Sequence, residues 1–366
     1  MPILGVLDEI PDPRGYNVVH ELTDVLFVAL AAMLCGAANC TEMAMFAEAR
    51  LELLRQFVPL AGGAPSHDTF TRVFRLLDPE AFGAAFHKLM AVFGQEARYS
   101  AQGQLAVDGK SLRRAYEKGR AHMPPLVVTV LECETFMSVA QSIAADGGEA
   151  EAAIAALKLL SLKGCTVSAD ALHCHRRFTQ TVIDGGGSYV LTIKGNQSKL
   201  AREAATALDA LAANPKTAIA ETEDATHGRH ELRRAIVTAF RQSPGKAALV
   251  GLKAVARVEV WRTDKGVTSH EVRTYALSRI MTPGDVLATV RRHWAIENRL
   301  HWQLDVLMAE DQARNRKNNA PANLASFRRL ALNILRADPR TIPVSHKRLK
   351  ARWNDQELLS LMTHMR

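Results

Sequence analysis

Two acidic residues stand at the ends of short hydrophobic runs, where a carboxylate has little structural reason to be. Asp108 closes the run QLAVD, and Asp170 closes CTVSAD. A carboxylate at such a point is partly desolvated, which raises its free energy unless hydrogen bonds or a cation compensate it. Either acid alone is also compatible with a turn or a helix cap. The pair becomes informative only if the two runs lie side by side.

A third acid lies in the stretch HWAIENRLHWQLD, residues 293–305. Read as a helix, this stretch places His293, Glu297, His301 and Asp305 four residues apart and therefore along one face. Taken alone, the pattern fits either a metal-binding stripe or a solvated polar one.

Together the three acids predict an all-oxygen metal site. If the two strands are neighbours, Asp108 and Asp170 converge on one sheet edge, and Glu297 completes the set. Such a site selects hard cations, so we expect two ions, Mg²⁺ or Mn²⁺. Two ions roughly 3.5–4 Å apart activate a water or a 3′ hydroxyl at a phosphodiester and stabilise the departing oxygen.

Zinc is the alternative, because histidines flank these acids. His173 and His175 follow Asp170 with Cys174 between them. No HExxH motif occurs, however, and neither histidine segment has the ligand spacing of a closed structural site. We therefore expect supporting roles beside the acids; the alternatives for these imidazoles are hydrogen bonds to DNA phosphates and plain surface positions. The residues with this expected role are His173, His293, Asn298 and His301.

Basic and amide residues follow the same strands, as binding of a polyanion requires. Each one alone is compatible with a solvated loop, since Lys and Arg are mostly exposed; their clustering favours phosphate contact. The residues of this kind expected to bind DNA are Lys110, Arg113, Arg176, Lys194 and Gln197. Arg229, in the basic patch HGRHELRRA, and Arg292 and Arg299, beside Glu297, are expected to bind DNA as well.

The elements that must position these residues are a mixed sheet and its helices. QLAVDGKSL, PLVVTVLEC and FMSVAQSIA are three consecutive strand-like runs, and alternating helices and strands follow, including CTVSADAL and SYVLTIKGN. This order is the one expected of a ribonuclease H-like α/β core. A second strand-rich tract before the Glu297 helix is interpreted as a β-rich insertion that decorates the core.

The chain before residue 100 has an all-helical pattern. In PSHDTFTRVFRLLDP, Ser66 can cap a helix that has an apolar stripe and an outward face with Arg72 and Arg75. This helix is either a core helix with a wet face or a DNA-contacting helix. The predicted division is 1–100 (helical domain), 101–213 with 281–336 (catalytic core), 214–280 (insertion) and 337–366 (C-terminal tail).

Composition narrows the function classes. The 366 residues carry 46 Lys and Arg against 38 Asp and Glu, a net charge of +8 that leans toward a polyanionic partner. Five scattered cysteines without a CxxC pair argue against a disulfide framework and favour a reducing cytosol. The longest apolar run, 25–38, is shorter than the roughly 20 residues of a membrane span, so we expect a buried helix. No basic-then-apolar leader opens the chain, and export is not expected.

The motifs as a set resemble one family. LAVDGKSLR, VSADALHCH, YVLTIKGNQ, HGRHELRR and HWAIENRLHWQLDV are similar to segments of DDE transposases of bacterial insertion sequences, in the group of H-repeat-associated proteins found near Rhs elements. The resemblance implies a ribonuclease H-like domain with the triad Asp108, Asp170 and Glu297, and a helical region that binds terminal inverted repeats. Many relatives carry Tyr, Arg and Lys around the last acid, where this chain has Val290, His293 and Leu304.

We therefore expect a DNA transposase of an insertion sequence, acting as a dimer or larger assembly on DNA. It would cleave phosphodiesters at the element ends and join the 3′ hydroxyl to target DNA. The alternatives are a catalytically silent, transposase-derived DNA-binding protein and a metal-dependent nuclease without strand transfer. Asp305, Glu310 and Asp311 are the fallback third acids.

Overall fold

A nine-stranded mixed sheet forms the centre of the computed structural model, which describes residues 2–96, 103–115, 124–144, 148–226 and 228–363. The predicted boundary at residues 100 and 101 lies outside these ranges. The strands are β1 (Gln104–Ser111), β2 (Leu126–Glu132), β3 (Ser138–Ala144), β4 (Thr166–Ala169), β5 (Ser188–Ile193), β6 (Ala220–Thr226), β7 (Arg229–Ala239), β8 (Ala254–Asp264) and β9 (Val267–Leu277).

The strand order confirms the ribonuclease H-like core. Across the sheet the strands run β3-β2-β1-β4-β5-β9-β8-β7-β6. The first three strands pair antiparallel in succession, and β4 and β5 then add in parallel beside β1. β1 is therefore flanked by β2 on one side and β4 on the other, which is the placement that the sequence argument needed.

The β-rich tract continues this sheet instead of lying on top of it. Its last strand, β9, pairs antiparallel with β5, and β8, β7 and β6 follow as an antiparallel meander. Because β9 occupies the position next to β5, its side chains reach the same region as those of the core strands. The expectation that this tract only decorates the core is therefore wrong.

Helices cover both faces of the sheet. They are α1 (Pro2–Asp8), α2 (Leu22–Leu34), α3 (Cys40–Ala49), α4 (Leu51–Leu54), α5 (His67–Leu76), α6 (Pro79–Glu96), α7 (Glu149–Lys158), α8 (Arg176–Asp184), α9 (Ser198–Ala212), α10 (Pro283–His293), α11 (Trp302–Val306), α12 (Ala320–Ala337), α13 (Val344–Trp353) and α14 (Asp355–Thr363). Successive side chains of β1 point to opposite faces of the sheet and belong to two hydrophobic cores. Val107 lies in the core that includes Ala153 of α7, and Ala106 lies in the core that includes Leu300 and the helices packed around it.

Local sequence explains where the key helices begin. The Ser66 hydroxyl accepts a hydrogen bond from the Thr69 amide at 3.3 Å and caps α5, as predicted. Its apolar stripe is fully buried and comprises Phe70, Val73, Phe74 and Leu77. α10 begins in the same way, with Thr282 as the cap and Pro283 at its first position.

The N-terminal helices share one hydrophobic core with the C-terminal helices. Phe327 of α12 stacks on Phe82 of α6 with ring centroids 4.6 Å apart, and its edge meets Phe74 of α5. Leu358 of α14 belongs to the same core. The predicted division into four segments remains a prediction, but the segments after 336 and before 97 pack against common neighbours.

The apolar run at 25–38 is a buried helix, as expected. Twelve of the thirteen residues of α2 are buried. Within the ranges described above, no helix has the combination of length and hydropathy that crossing a bilayer requires.

A fully buried ion pair links the helices to the sheet. The Arg329 guanidinium of α12 donates to the Glu310 carboxylate at 2.9 Å, and neither side chain is exposed. Arg329 also donates to the Thr129 hydroxyl of β2 at 3.0 Å. Since β2 pairs Thr129 with Asp108, this contact fixes α12 behind the first candidate acid.

Arg329→Met is expected to lower the free energy of unfolding by about 3–5 kcal/mol, because it leaves the Glu310 charge buried without a partner. The double variant Arg329→Met with Glu310→Met should recover most of this loss, since both desolvated charges are then gone. Chemical denaturation measures both. Arg55→Met, which breaks the exposed pair with Glu52, is the control and should leave stability unchanged. A double variant as unstable as the sum of the two single changes would contradict the coupling.

Candidate active site

One cavity of about 200 Å³ brings together the three acids that the sequence singled out. Asp108 comes from β1, Asp170 directly follows β4, and Glu297 lies in the helical segment after α10. Polar and aromatic side chains complete the lining; they are Ser168, Thr192, Lys194, Arg273, Tyr275, His293 and Trp294. The required convergence is present, while the catalytic role of the three carboxylates remains a prediction.

Strand register places the two aspartates at the same edge. β1 and β4 are paired in parallel up to Val107 and Ala169, so the next residue of β1 is Asp108 and the next after β4 is Asp170. β1 itself does not end at Asp108, as the sequence suggested, but continues to Ser111 against β2. β4, in contrast, ends at Ala169, where its pairing with β1 stops. The Asp170 carboxylate then accepts a hydrogen bond from the Leu172 amide at 2.9 Å and caps a 3₁₀ turn.

Glu297 is carried by a π-helical turn over Ile296–His301, between α10 and α11. The prediction of one continuous helix is therefore wrong in this stretch. A π turn inserts an extra residue and rotates the side chains that follow it, and such turns are frequent at functional sites. Ile296 and Leu300 are buried and hold the turn on the sheet, while Glu297 is exposed at the cavity.

The candidate acids concentrate negative charge around one buried carboxylate. Burial raises the pKa of Asp108 to about 7; a backbone hydrogen bond from Gly109 opposes the rise, and the charges of Asp170, Glu149 and Glu297 add to it. The ionised carboxylate is thus poorly stabilised by the protein alone. A cation held between these side chains would favour the ionised form.

Two histidines of the stripe face this charge in the neutral form. His301 Nδ1 lies 3.7 Å from Asp108 Oδ2; burial lowers the pKa of His301 to about 3, and the charges of Arg329 and Lys110 lower it further. His293 Nδ1 lies 3.2 Å from the Ser168 hydroxyl, and burial lowers its pKa to about 4 against the charge of Asp170. Neither imidazole neutralises the carboxylates at pH 7.

The remaining supporting residues occupy different places. His173 is fully buried, with Nε2 3.9 Å from Asp170 Oδ1. Asn298 is exposed and lines the groove described below. Of the four residues with this predicted role, His173, His293 and His301 lie against the acids or the strand that carries them.

The donor set fits a hard divalent cation in its chemistry. Three carboxylates provide oxygen ligands only, and burial together with the neighbouring acids raises the pKa of Asp108. In the described part of the chain, no group of three or more His, Cys, Asp or Glu side chains is arranged to hold a metal ion as it stands. The carboxylates therefore border a common cavity without forming a closed cage.

A larger groove of about 820 Å³ opens beside the acid cavity, between the inserted strands and the α10 region. The two share a wall of five residues, namely Arg273, Tyr275, Val290, Trp294 and Glu297. The arginines that line it are Arg229, Arg233, Arg262, Arg273, Arg291, Arg292 and Arg299.

Ion pairing divides these arginines into two groups. Arg233, Arg262, Arg273 and Arg291 each pair with Asp224, Glu231 or Glu271. Within the described residues, Arg229, Arg292 and Arg299 form no ion pair. These last three are the groove arginines that the sequence argument selected for DNA binding. Their charges remain available to a polyanion.

The other residues predicted to bind DNA do not line the groove. Lys194 is exposed and lines the acid cavity, and Arg113 is exposed with its guanidinium 3.4 Å from Asp311. Arg176 donates to the Ala248 carbonyl at 3.2 Å, and Gln197 to the Cys174 carbonyl at 3.0 Å, so part of their hydrogen-bonding capacity serves the fold.

Lys110 does not have the predicted DNA-binding role. It is 7% exposed, and its Nζ lies 2.9 Å from Asp305 Oδ1 and 3.2 Å from Asp311 Oδ1. The lysine therefore ties β1 to the segments after the π turn. Ion pairs also occupy the three acids considered as substitutes for Glu297. Asp305 and Asp311 pair with Lys110, and Glu310 pairs with Arg329.

Sequence reasoning missed three residues at the site. Arg273 and Tyr275 enter from β9, and the Arg273 guanidinium stacks 4.6 Å from the centre of the Trp294 ring. Glu149, at the start of α7, lies close enough for its charge to raise the pKa of Asp108. In the sequence, an acid in the first turn of a helix indicates only favourable interaction with the helix dipole. The position of Glu149 beside the site is therefore visible only from its contacts in the structure.

Comparison with known proteins gives one consistent family. The model of the "Transposase DDE domain" matches residues 99–334, and the model described as "DDE_Tnp_1-associated" matches residues 4–90. An "Uncharacterized protein in dhlA 3'region" of Xanthobacter autotrophicus is 38% identical over 280 residues, which cover 75% of this chain and 93% of that one. The "H repeat-associated putative transposase YhhI" of Escherichia coli K12 is 30% identical over 344 residues, 90% of this chain and 89% of the relative.

Among solved structures, the piggyBac transposase synaptic complex with hairpin DNA aligns over 100% of this chain and 78% of that one, with a TM-score of 0.41 and 11% identity. A likeness at that level is too distant to carry an argument.

Asp108→Asn is expected to stabilise the protein in the presence of a chelator. Because the folded pKa lies above the unfolded value, the Asp108 contribution to stability is complete below about pH 4 and is lost as pH rises through about 7. The amide that replaces the carboxylate in Asp108→Asn does not ionise, so this loss of stability at high pH does not occur. We expect the free energy of unfolding to rise by on the order of 2 kcal/mol at pH 8 and by less at pH 5.

Urea unfolding at the two pH values measures this difference. Asp338→Asn is the matched control: burial opposes the effect, but hydrogen bonds from Arg340 hold the pKa of Asp338 below its usual value, so this change should destabilise the protein. If Asp108→Asn were the less stable protein at both pH values, burial and the neighbouring acids would not destabilise the ionised Asp108 carboxylate as inferred.

Proposed function

Since the chain belongs to the DDE transposase family, we propose that it is the DNA transposase of an insertion sequence, which cleaves the element ends and joins them to target DNA. The observation that carries the proposal is the shared cavity of Asp108, Asp170 and Glu297. Such an enzyme directs a water and then the freed 3′ hydroxyl at a phosphodiester.

The family generally uses divalent metal ions, and in this chain Asp108, Asp170 and Glu297 would hold them. Two ions, Mg²⁺ or Mn²⁺, supply activation of the attacking hydroxyl and stabilisation of the leaving oxygen. Neutral His293 and His301 flank the carboxylates without competing with a cation for them. Lys194 at the cavity can hold the phosphate that is attacked.

The arginine groove is proposed to hold the DNA strand that enters the cavity. It shares a wall with the acid cavity, and Arg229, Arg292 and Arg299 offer charges that no acid of the described residues neutralises. Trp294 lies at the junction of the two, with Arg273 stacked on it. Phosphate contacts of this kind position a strand without reading its sequence.

DNA end recognition is proposed for the N-terminal helices, and a dimer or larger assembly is proposed because an element has two ends. α5 turns Arg72 outward while its apolar stripe is buried. Both earlier interpretations of α5 thus remain compatible, since the core stripe and the exposed basic face coexist on one helix.

Asp108→Asn, Asp170→Asn and Glu297→Gln are each expected to abolish strand cleavage and joining while DNA binding persists. The carboxylates hold the ions, whereas binding depends on arginines. The assay is cleavage and integration of a marked plasmid that carries the DNA flanking the reading frame, with Mg²⁺. Asp264→Asn, an exposed acid at a hairpin of the insertion, is the matched control and should retain activity.

Retained cleavage by any of the three variants would refute the assigned triad. Cleavage without joining by the unaltered protein would indicate the nuclease alternative, and DNA binding with neither activity would indicate the silent descendant.

Arg292→Gln and Arg299→Gln are expected to weaken DNA binding about equally for all sequences and to reduce the salt dependence of binding by roughly one unit of slope each. Affinity measured between low and high salt gives both quantities. Arg241→Gln, an exposed arginine outside the groove, is the control and should leave both unchanged. A salt slope that stays at its original value in the groove variants would show that the groove does not hold phosphates.

A further inference from the structure

Glu149 is an acid close to the site that the proposed function leaves unused. It is the first residue of α7, and its side chain is 19% exposed. In the described part of the chain no hydrogen bond to its carboxylate is formed, and His173 Nε2 lies 3.6 Å from Oε1. A carboxylate that is largely buried without a donor is unfavourable unless something else binds it.

The strand next to Glu149 is shaped to admit its carboxylate. A Cβ added to Gly109 would lie 2.5 Å from Glu149 Oε1 and 2.7 Å from its Cδ, closer than real Cβ atoms approach. The backbone of Gly109 is in ordinary strand conformation, so the glycine is required here for space. The residue directly after Asp108 thus lets a second carboxylate lie against β1.

His173 gives an independent sign that this pair of acids binds a ligand. Its imidazole is fully buried, and neither ring nitrogen has a hydrogen-bond partner. Nε2 faces both carboxylates, 3.6 Å from Glu149 and 3.9 Å from Asp170. A buried imidazole that donates to metal-binding carboxylates is a common arrangement, and a small approach of the acids would complete those hydrogen bonds.

Helix stabilisation alone does not explain these contacts. An acid in the first turn of α7 interacts favourably with the helix dipole, and Glu151 does so from an exposed position, where it pairs with Arg177. Glu149 instead turns inward. Its charge also raises the pKa of Asp108, and by more than the charge of Glu297 does.

We infer that Glu149 is a fourth carboxylate ligand of the divalent-ion site, which binds an ion together with Asp108 and Asp170. The inference rests on the proposed function. Glu149 approaches from the sheet face covered by α7, and Glu297 from the face covered by the helices after α10. Asp108 then lies between them, with acids on both sides.

The test is binding of Mn²⁺ alone to the full chain without DNA, measured by titration calorimetry. Glu149→Gln should lower the affinity by about 10-fold or more, the size of effect expected for groups that hold or orient metal ligands. Glu151→Gln, two residues along the same helix, should bind Mn²⁺ as the unaltered protein does. Unchanged affinity in Glu149→Gln would overturn the inference.

Gly109→Ala provides a second route that keeps Glu149 in place. The added methyl group must displace the carboxylate, so the Mn²⁺ affinity should fall as in Glu149→Gln. In a Glu149→Ala background the methyl group still meets Leu126 Cδ2, at 2.9 Å, but this is the end of a flexible side chain that can shift, so Gly109→Ala should cause no further loss of Mn²⁺ affinity. Additive losses in the double variant would mean that Gly109 acts independently of Glu149 and would overturn the inference.

Asp108→Asn separates this inference from the proposed function. If Asp108→Asn loses Mn²⁺ binding while Glu149→Gln retains it, the ion site stands and the role of Glu149 fails. If Asp108→Asn binds Mn²⁺ as well as the unaltered protein, the proposed ion site itself fails, and the inference fails with it.

Discussion

Parallel pairing of β1 with β4 brings the carboxylates of Asp108 and Asp170 to the same edge of the sheet, and the arrangement of charges around the site depends on this pairing. The pairing ends where Asp108 and Asp170 follow, and a helix on each face brings a further acid toward them. Burial and mutual repulsion leave Asp108 with a pKa of about 7. A protein gains no stability from such an arrangement, which is the expected pattern where stability is sacrificed to function.

The basic side chains near the site fall into two groups, according to whether an acidic side chain pairs with them. Lys110 and Arg329 are buried and neutralised by their own acids, so they fix helices to the sheet behind the carboxylates. Burial lowers the pKa of His301, and the charges of Arg329 and Lys110 lower it further. Arg292 and Arg299 are exposed in the groove and have no such partners among the described residues. The charges that stabilise the fold and the charges available to a ligand are therefore carried by different residues.

The inserted strands build part of the site because they continue the sheet. β9 lies beside β5, and this position brings Arg273 and Tyr275 to the cavity from a tract far from the core strands in sequence. Arg273 stacks on Trp294, which leads into the π turn that carries Glu297. The last acid is thus positioned from two directions, by the buried residues of its own turn and by a wall of the insertion.

The sequence by itself predicted that β1 and β4 are neighbours, that Ser66 caps a helix and that Asp108, Asp170 and Glu297 converge, because these follow from local patterns and from the ribonuclease H-like order of the first five strands. It did not determine the pairing of Lys110 or the inward turn of Glu149. It also missed the π turn, since a regular helical repeat gives no sign of an inserted residue. Those features arise from contacts between segments far apart in the chain, where charge and space are set by neighbours that only the tertiary structure supplies.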